Sequence, residues 1–235
     1  MKKVAILQSN YIPWKGYFDI INEVDLFIFY DDVQYTARDW RNRNRIKTPR
    51  GVEWLTVPTD GSREKLICDV RLPDPRWQEI HWKSLQQCYG KAPFFASVQP
   101  LLEEVYRGQR WTHLSQLNQH LITRIARDML GISTEFADSR VYSATGSKQD
   151  RIVELLEKSA ASAYLSGPAA KSYIDEALFA DKGIELTWHD YAGYPEYRQF
   201  HPPFEHGVSI FDLLFHTGSD APWHIWGWRD AAPRS

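Results

Sequence analysis

Polar side chains follow each of four short apolar segments, and their types suit hydrogen bonding, proton transfer and anion binding. In open α/β sheets, ligands bind beyond the carboxyl ends of the strands. The pattern predicts one shared binding site at this edge, although loops are polar in most proteins. The side chains are Gln8, Ser9, Asn10 and Tyr11 after 3–7, Asp31, Asp32 and Gln34 after 25–30, Ser166, Gly167 and Pro168 after 163–165, and His189, Asp190 and Tyr191 after 184–188.

Basic residues are densest between positions 38 and 50, where Asp39 is the single acid. Alternate positions of a strand share one face, so the odd positions would form a cationic row with Asn42 on the opposite face. Arginine binds phosphate oxygens with two parallel hydrogen bonds, which predicts a site for the diphosphate of a nucleotide sugar or for a phosphopantetheine-type donor. A charged, exposed edge strand is the alternative. The basic residues are Arg38, Arg41, Arg43, Arg45, Lys47 and Arg50.

Asp31, Asp32 and His206 are the candidates for proton transfer. Successive side chains on a strand diverge, so both carboxylates reach one ligand only if the strand ends there. One would then act as a general base, and the other would accept hydrogen bonds. Ion pairs with Arg38 or Arg43 explain the two acids equally well. His206 directly precedes the last predicted helix, which makes it the preferred acid or base among the histidines.

Positions 166–171 form a predicted junction between a strand and a helix. Gly167 would let an anion approach free backbone N–H groups, with Lys171 adding charge, whereas ordinary helix capping by Ser166 is the alternative. The sequence contains no Walker A loop, no G-x-G-x-x-G and no G-x-S-x-G. The spacing of the histidines at 201, 206 and 216 matches no common metal site. We therefore predict no metal, and the sequence identifies no cofactor.

Apolar patterning predicts the elements that position these residues. Continuous apolar runs at 3–7 and 25–30 indicate strands buried on both faces of a parallel sheet. The prediction is one α/β domain over 1–235, with a Rossmann-like, mostly parallel sheet in two halves, an antiparallel meander at 41–72 and a helical insertion or subdomain at 75–130. The other predicted elements are helix 14–24, strand 134–137, helix 147–159, strand 163–165, helix 169–179, strand 184–188, an ordered loop at 191–204, helix 208–215 and a surface tail after Gly218.

Composition narrows the class of protein. The 235 residues include 28 basic and 30 acidic side chains, so the chain lacks the excess positive charge of a general nucleic-acid binder. Cys68 and Cys88 lie in unrelated contexts, which is typical of the reducing cytoplasm. No apolar stretch approaches the ~18 residues of a membrane span, and the first apolar run stops at Gln8, too early for a secretory signal. We therefore expect a cytoplasmic protein that does not enter a membrane.

Four strings resemble the WbqC-like family, and they are spread over nearly the whole chain. They read QSNYIPWKGYFD at 8–19, DDVQY with RDWRNRN at 31–44, YLSGPAA at 164–170 and GVSIFDLLF at 207–215. The resemblance implies a cytoplasmic step in making or decorating a sugar of a bacterial surface polysaccharide, the lipopolysaccharide O-antigen. It does not specify the reaction.

Acyl or aminoacyl transfer to the amine of a nucleotide-linked sugar is the simplest activity that suits this setting. An acyl donor, either a thioester or an aminoacyl compound, would be the second substrate, and the oligomeric state stays open. We expect Asp32 or His206, with Asp31 as a further candidate, to accept the amine proton. The expected ligand-binding residues are Arg41, Arg43 and Lys171 for phosphates, Asn10 and Gln34 for polar groups, Tyr11 and Trp14 for stacking, and Gln8, Arg38, Asn42, Lys47, Ser166 and Gly167.

Two alternatives remain at this point. The N-terminal order of strand, loop, helix and strand resembles nucleotidylyl-transferase folds, but those use a His-x-Gly-His turn, where this chain has WKGY at 14–17. The other alternative is a non-catalytic protein that binds a sugar intermediate for partner enzymes. A polar strand edge without an obvious nucleophile is compatible with either.

Overall fold

The computed structural model describes residues 1–230. Five parallel strands form the central sheet in the spatial order β5-β2-β1-β6-β7. This is the doubly wound, Rossmann-type order, in which the chain builds outwards from β1 in both directions. The predicted α/β class with a mostly parallel sheet is therefore confirmed. The strands are β1 (Lys3–Leu7), β2 (Leu26–Phe29), β5 (Glu135–Asp138), β6 (Ala163–Ser166) and β7 (Glu185–Trp188).

Apolar side chains on both faces of the sheet explain the continuous apolar runs. Ala5 of β1 packs into a cluster on one face, whereas its neighbours Val4 and Ile6 pack into a second cluster on the other. The first cluster includes α1 (Lys15–Asn22) and α7 (Ile210–Thr217), and the second includes α5 (Lys148–Lys158) and α6 (Glu176–Ala180). Helices thus cover both faces, as parallel strands require.

The basic segment leads into a two-stranded antiparallel hairpin, which is a sheet separate from the central one. It consists of β3 (Arg43–Thr48) and β4 (Gly51–Thr56), in register from Arg43 opposite Thr56 to Thr48 opposite Gly51. Gly51 has a φ of 114°, which glycine adopts without strain in a tight turn. The third run of the predicted meander, 66–72, is not a strand, because it forms a 3₁₀ turn at Ile67–Asp69 and single bridges to other segments.

Helices fill the chain between the hairpin and β5, as the insertion at 75–130 predicts. They are α2 (Arg76–Tyr89), α3 (Phe95–Glu103) and α4 (Leu114–Arg124), with π-helical turns after α3 and α4. Their apolar faces belong to the same cluster as α1 and α7. The backbone N–H of Phe94 donates to the carbonyl of Phe215 at 3.0 Å, which ties the insertion to the C-terminal part of the chain.

Residues 191–209 contain no helix or strand, in keeping with the predicted ordered loop. The predicted helix at 169–179 is divided into a 3₁₀ turn at Pro168–Ser172 and the short α6. After α7, the chain forms two further short turns, and residues 231–235 of the predicted tail lie outside the described part of the chain. Within residues 1–230, no helix is both long enough and apolar enough to cross a membrane.

Candidate functional site

A cleft lies where the order of the sheet reverses. From β1 the chain continues to β2 on one side, while β6 pairs with β1 on the other, so the loops that follow β1 and β6 separate and leave a crevice. This switch-point cleft has a volume of about 550 Å³, which is within the usual range of small-molecule sites, roughly 300–1,000 Å³. Gln8 and Asn10 line it from the loop after β1, and Ser166 and Gly167 from the end of β6.

Arg41 supplies the positive charge of the cleft. Its guanidinium group donates to the amide oxygens of Gln8 and Asn10, and the nearest carboxylate oxygen, on Asp39, is 3.8 Å away. Burial lowers the pKa of Arg41 from its ordinary value. A mostly buried cation that is held by neutral oxygens leaves charge for a ligand to neutralise.

Aromatic rings form most of the remaining walls of the cleft, as in many small-molecule sites. Among the described residues that line it there is no carboxylate, imidazole, thiol or amine, so Arg41 and the tyrosine hydroxyls are its titratable groups. The cleft is therefore equipped to bind and orient a ligand rather than to exchange protons at neutral pH. The aromatic lining residues are Trp14, Tyr17, Tyr30, Trp40, Tyr164, Tyr173 and Tyr191.

The loop after β1 is held in an unusual conformation. Ile12 has a φ of 36°, a left-handed conformation that β-branched residues rarely adopt and that is found at functional sites. The buried Asn44 stabilises this turn, because its amide nitrogen donates to the carbonyls of Tyr11 and Ile12 at 3.1 and 2.9 Å. Trp14 then folds over the first turn of α1, where a Cβ on Gly16 would lie 2.4 Å from its ring.

Six of the predicted ligand-binding residues meet at the switch-point cleft: Gln8, Asn10, Trp14, Arg41, Ser166 and Gly167. Tyr11 does not join them. It is fully buried, and its hydroxyl contacts His81 Nδ1 at 2.8 Å and the Tyr106 hydroxyl at 2.7 Å. Tyr11 therefore packs in the core and is not exposed for stacking on a ligand.

The remaining basic and polar candidates make other contacts. Asn42 is buried and donates to the Val57 carbonyl at 2.9 Å, and Lys47 is buried against the Pro203 carbonyl. Gln34, Arg38 and Lys171 are exposed outside the cleft lining. Arg43 lies 4.1 Å from the centre of the Trp54 ring. Of the predicted cationic row, Arg41 alone lines the cleft, because the strand begins only at Arg43 and Arg41 lies outside it.

The two adjacent aspartates lie beyond the end of β2 and point in different directions. Asp31 is fully buried and accepts hydrogen bonds from the Ser9 N–H and from Gln119, both at 2.8 Å, and burial raises its pKa. Asp32 accepts from Ser139 at 2.5 Å and pairs with Arg151 rather than with Arg38 or Arg43. Neither aspartate is among the residues that line the cleft.

His206 is exposed, and its ring lies 4.6 Å from that of Phe204. The ring is nevertheless partly covered by its neighbours, and this partial desolvation lowers the pKa of His206, with a further contribution from the charge of Lys15. His206 does not line the switch-point cleft. His216 serves a structural contact, since its Nε2 accepts from the N–H of Phe200 at 3.2 Å and its Nδ1 lies 2.7 Å from the Asp212 carbonyl oxygen.

Sequence reasoning placed His189 at the shared edge of the sheet but missed that it belongs to a buried cluster behind the cleft wall. Asp19 of α1 accepts two hydrogen bonds from Arg229 at 2.8 and 2.6 Å and one from Tyr194 at 2.5 Å, and His189 Nε2 lies 3.2 Å from it. The ring of His189 packs 4.7 Å from that of Tyr191, which lines the cleft. The available signal was an aspartate inside the apolar helical run of α1.

The charges in this cluster compensate one another. Burial disfavours the protonated imidazole, but hydrogen bonds to Asp19 and Glu23 outweigh it and raise the pKa of His189 to about 9. Burial alone would raise the pKa of Asp19, yet its hydrogen bonds from Arg229, His189 and Tyr194 lower it. Asp19, Glu23 and His189 have ligand atoms within 4.8 Å of one another. Arg229 already occupies both oxygens of Asp19, so these residues do not fit a metal ion.

The sheet order defines a doubly wound α/β protein, and it carries an arginine-bearing cleft at its switch point. The model of the WbqC-like protein family matches residues 8–223, and the chain belongs to this family. It is also 48% identical over 224 residues to the uncharacterized protein Rv1507c of Mycobacterium tuberculosis (strain ATCC 25618 / H37Rv), a match that covers 94% of this chain and 96% of the other. No solved structure matches. The resemblance noted in the sequence is confirmed.

Proposed function

We propose that this protein is a cytoplasmic transferase of bacterial surface-polysaccharide (O-antigen) biosynthesis. It binds a nucleotide-linked amino sugar in the switch-point cleft and transfers an acyl or aminoacyl group to the sugar amine. The polysaccharide setting follows from what the family resemblance implies. The chemistry of the cleft supports the proposed substrate class.

The observation that carries the proposal is the environment of Arg41. Its guanidinium group is mostly buried, contacts two neutral amide oxygens and lies 3.8 Å from the nearest carboxylate. A diphosphate would complete this arrangement with charge-assisted hydrogen bonds. The switch point of a doubly wound sheet is also where such folds bind nucleotides. The aromatic walls supply surfaces for the base.

The proposed reaction needs a bound and oriented amine more than it needs a catalytic side chain. The amine nitrogen attacks the carbonyl carbon of the donor, so a C–N bond forms while the C–S bond of a thioester, or the C–O bond of an aminoacyl ester, breaks. The amine proton ends on the leaving thiolate or alkoxide. Because Asp31, Asp32 and His206 are not lining residues, we assign catalysis to positioning, which alone contributes large rate factors.

A second function has its own supporting observation. A cleft whose described lining residues include no carboxylate, imidazole, thiol or amine also suits a non-catalytic protein that holds a sugar intermediate for partner enzymes. The nucleotidylyl-transferase alternative has less support, since Trp14 and Tyr17 stand where that chemistry uses histidines.

Mass spectrometry separates the two functions. The purified protein is incubated with UDP-, dTDP- and GDP-linked amino sugars together with acyl thioesters or aminoacyl donors. The transferase proposal expects a mass increase on the sugar that requires the protein and is lost in Arg41→Gln. Binding of an amino-sugar nucleotide without any product across the panel would establish the non-catalytic function instead. Protein-dependent release of pyrophosphate from nucleoside triphosphates would support nucleotidylyl transfer.

A further inference from the structure

A second, smaller pocket adjoins the switch-point cleft. It has a volume of about 280 Å³ and shares Asn10, Trp14 and Trp40 with the cleft. We call it the tryptophan pocket. A ligand that passes Arg41 in the cleft can therefore continue into this pocket along one surface. The remaining lining residues are Pro13, Asn44, Arg45 and Gly207.

Two indole rings form the apolar walls of the tryptophan pocket. The ring of Trp14 is held by those of Tyr191 and Tyr194, with centroids 5.2 and 5.8 Å away. Trp40 is 40% exposed and packs 5.2 Å from Trp54. Exposed tryptophan faces beside polar groups are a binding surface for a ring with apolar C–H faces and polar edges.

Hydrogen-bonding groups complete the pocket. The amide oxygen of Asn10 accepts a hydrogen bond from Arg41, and its amide nitrogen has no hydrogen-bond partner among residues 1–230. Arg45 donates from Nε to the Gly207 carbonyl at 2.8 Å, and its Nη2 is 3.9 Å from Glu205 Oε1. These donors can bind the hydroxyl or amide oxygens of a ligand.

Hydrogen bonds fix the pocket before any ligand arrives. The N–H of Tyr11 donates to the Trp40 carbonyl at 3.0 Å, and that of Ile210 to the Pro13 carbonyl at 2.9 Å. The N–H of Ser209 donates to the Arg45 carbonyl at 2.8 Å. Pro13 and Arg45 are thus tied to the start of α7 and Trp40 to the loop after β1, so little conformational freedom remains to be lost on binding.

We infer that the tryptophan pocket is the subsite for the amino-sugar ring, while the switch-point cleft holds the nucleoside and Arg41 the diphosphate between them. This inference rests on the proposed function and adds the location of the sugar. The smaller pocket suits a single pyranose ring, and the larger cleft suits the nucleoside. A nucleobase in the tryptophan pocket is the competing arrangement.

Isothermal titration calorimetry with matched ligands tests the assignment. Wild type and Trp40→Ala are titrated with UDP-, dTDP- and GDP-linked hexosamines and with the corresponding bare diphosphates. We expect Trp40→Ala to weaken the best sugar nucleotide roughly tenfold, the loss of one stacking surface. Because Trp40 borders both pockets, this variant should also weaken the bare diphosphate, but by a smaller factor. Trp188→Ala removes an indole outside both pockets and is expected to change neither affinity.

A second variant narrows the pocket without removing a side chain. Gly207 lines the tryptophan pocket and not the cleft. A Cβ on Gly207 would lie 2.1 Å from Nη2 of Arg45, so Gly207→Ala displaces the end of that side chain and should weaken the sugar nucleotide while leaving the bare diphosphate within twofold. Equal losses for the sugar nucleotide and the bare diphosphate would place the base in the pocket and overturn the inference. No loss in either variant would overturn it as well, and the proposed function would then stand without it.

Free hexosamines separate the inference from the function on which it rests. Their weak binding is followed by saturation-transfer NMR in wild type, Trp40→Ala and Arg41→Gln. Sugar signals that vanish in Trp40→Ala and persist in Arg41→Gln support the subsite even if no nucleotide binds and the proposed function fails. If neither free sugars nor sugar nucleotides bind, both proposals are wrong.

Discussion

Arg41→Gln should abolish tight anion binding while leaving the fold intact. The guanidinium group would offer a diphosphate two charge-assisted hydrogen bonds, and its loss costs about 2–3 kcal/mol. That figure corresponds to a roughly 30- to 150-fold rise in Kd. Glutamine keeps a polar side chain next to Gln8 and Asn10, whose amide groups also face a cleft that water can enter. The cost in folding should therefore be small.

The contacts of Arg41 limit how far Arg41→Gln can change the free energy of unfolding. Arg41 has neutral oxygen partners and a carboxylate no closer than 3.8 Å, so its removal breaks no hydrogen-bonded ion pair. We expect the free energy of unfolding to stay within about 1 kcal/mol of wild type. A purely structural arginine would instead show a large loss of stability.

Two measurements test the reasoning. Calorimetric titration with UDP, dTDP, GDP and inorganic pyrophosphate gives the affinities, and urea unfolding gives the stability. Arg43→Gln is the matched control, because Arg43 stacks on Trp54 outside the cleft, and it should bind as wild type does. Wild-type affinity in Arg41→Gln would refute the anion site, and a loss of stability as large as the loss of binding would assign Arg41 to folding alone.

Three further predictions use other groups. His189, with a pKa raised to about 9 from about 6.5 when unfolded, contributes stability that is fully present below about pH 6.5 and is lost as the pH rises through 9, on the order of 3 kcal/mol. Urea unfolding gives the free energy of unfolding at pH 6 and at pH 9.5, and its decrease between the two should be smaller in His189→Gln than in wild type. Burial lowers the pKa of Lys15 to about 8, but Lys15 is present in both proteins, so its contribution cancels in this comparison. Asp32→Asn leaves Arg151 without its carboxylate and should lower the free energy of unfolding by about 1–3 kcal/mol, with diphosphate affinity by calorimetry unchanged; a lost affinity would contradict this. If transfer occurs, its rate should rise with pH through the pKa of the sugar amine, and the midpoint should move between two substrates whose amines differ in pKa. A midpoint common to both substrates would point to a protein base such as Asp32 or His206.

Strand ends were the most informative feature of the sequence. The carboxyl ends of parallel strands lie at the same edge of a sheet, independently of the loop conformations. The apolar runs were therefore sufficient to predict that Gln8 and Asn10 lie near Ser166 and Gly167. The cationic row depended on a finer assumption, that the strand includes position 41. Because β3 begins at Arg43 and belongs to a separate hairpin, Arg41 is left outside the strand and reaches the cleft.

Partners far apart in the chain could not be predicted from spacing. Asp32 pairs with Arg151, 119 residues away, and Asp19 with Arg229, 210 residues away. Local patterns indicate that an acid is buried or near a strand end, but the identity of its counter-charge depends on which helix packs over it. Tyr11 shows the same limit, since its place in the QSNY string suggested a ligand wall and the left-handed turn at Ile12 accompanies its burial in the core.

Under the proposed function, the charge of the cleft and the absence of an acid or base from its described lining residues have one explanation. A carboxylate close to Arg41 would compete with a diphosphate for the same hydrogen bonds, and binding would have to break that ion pair first. Neutral amide oxygens also hold the guanidinium group in place, and replacing their hydrogen bonds by those of a diphosphate costs much less free energy than breaking an ion pair. Amine attack on a thioester in turn needs a neutral nucleophile and a good leaving group, which the substrates themselves provide, together with a fixed approach of the two. Under the proposed function, a guanidinium held by amide oxygens thus suits exchange for a diphosphate, and the proposed reaction needs no carboxylate in the cleft.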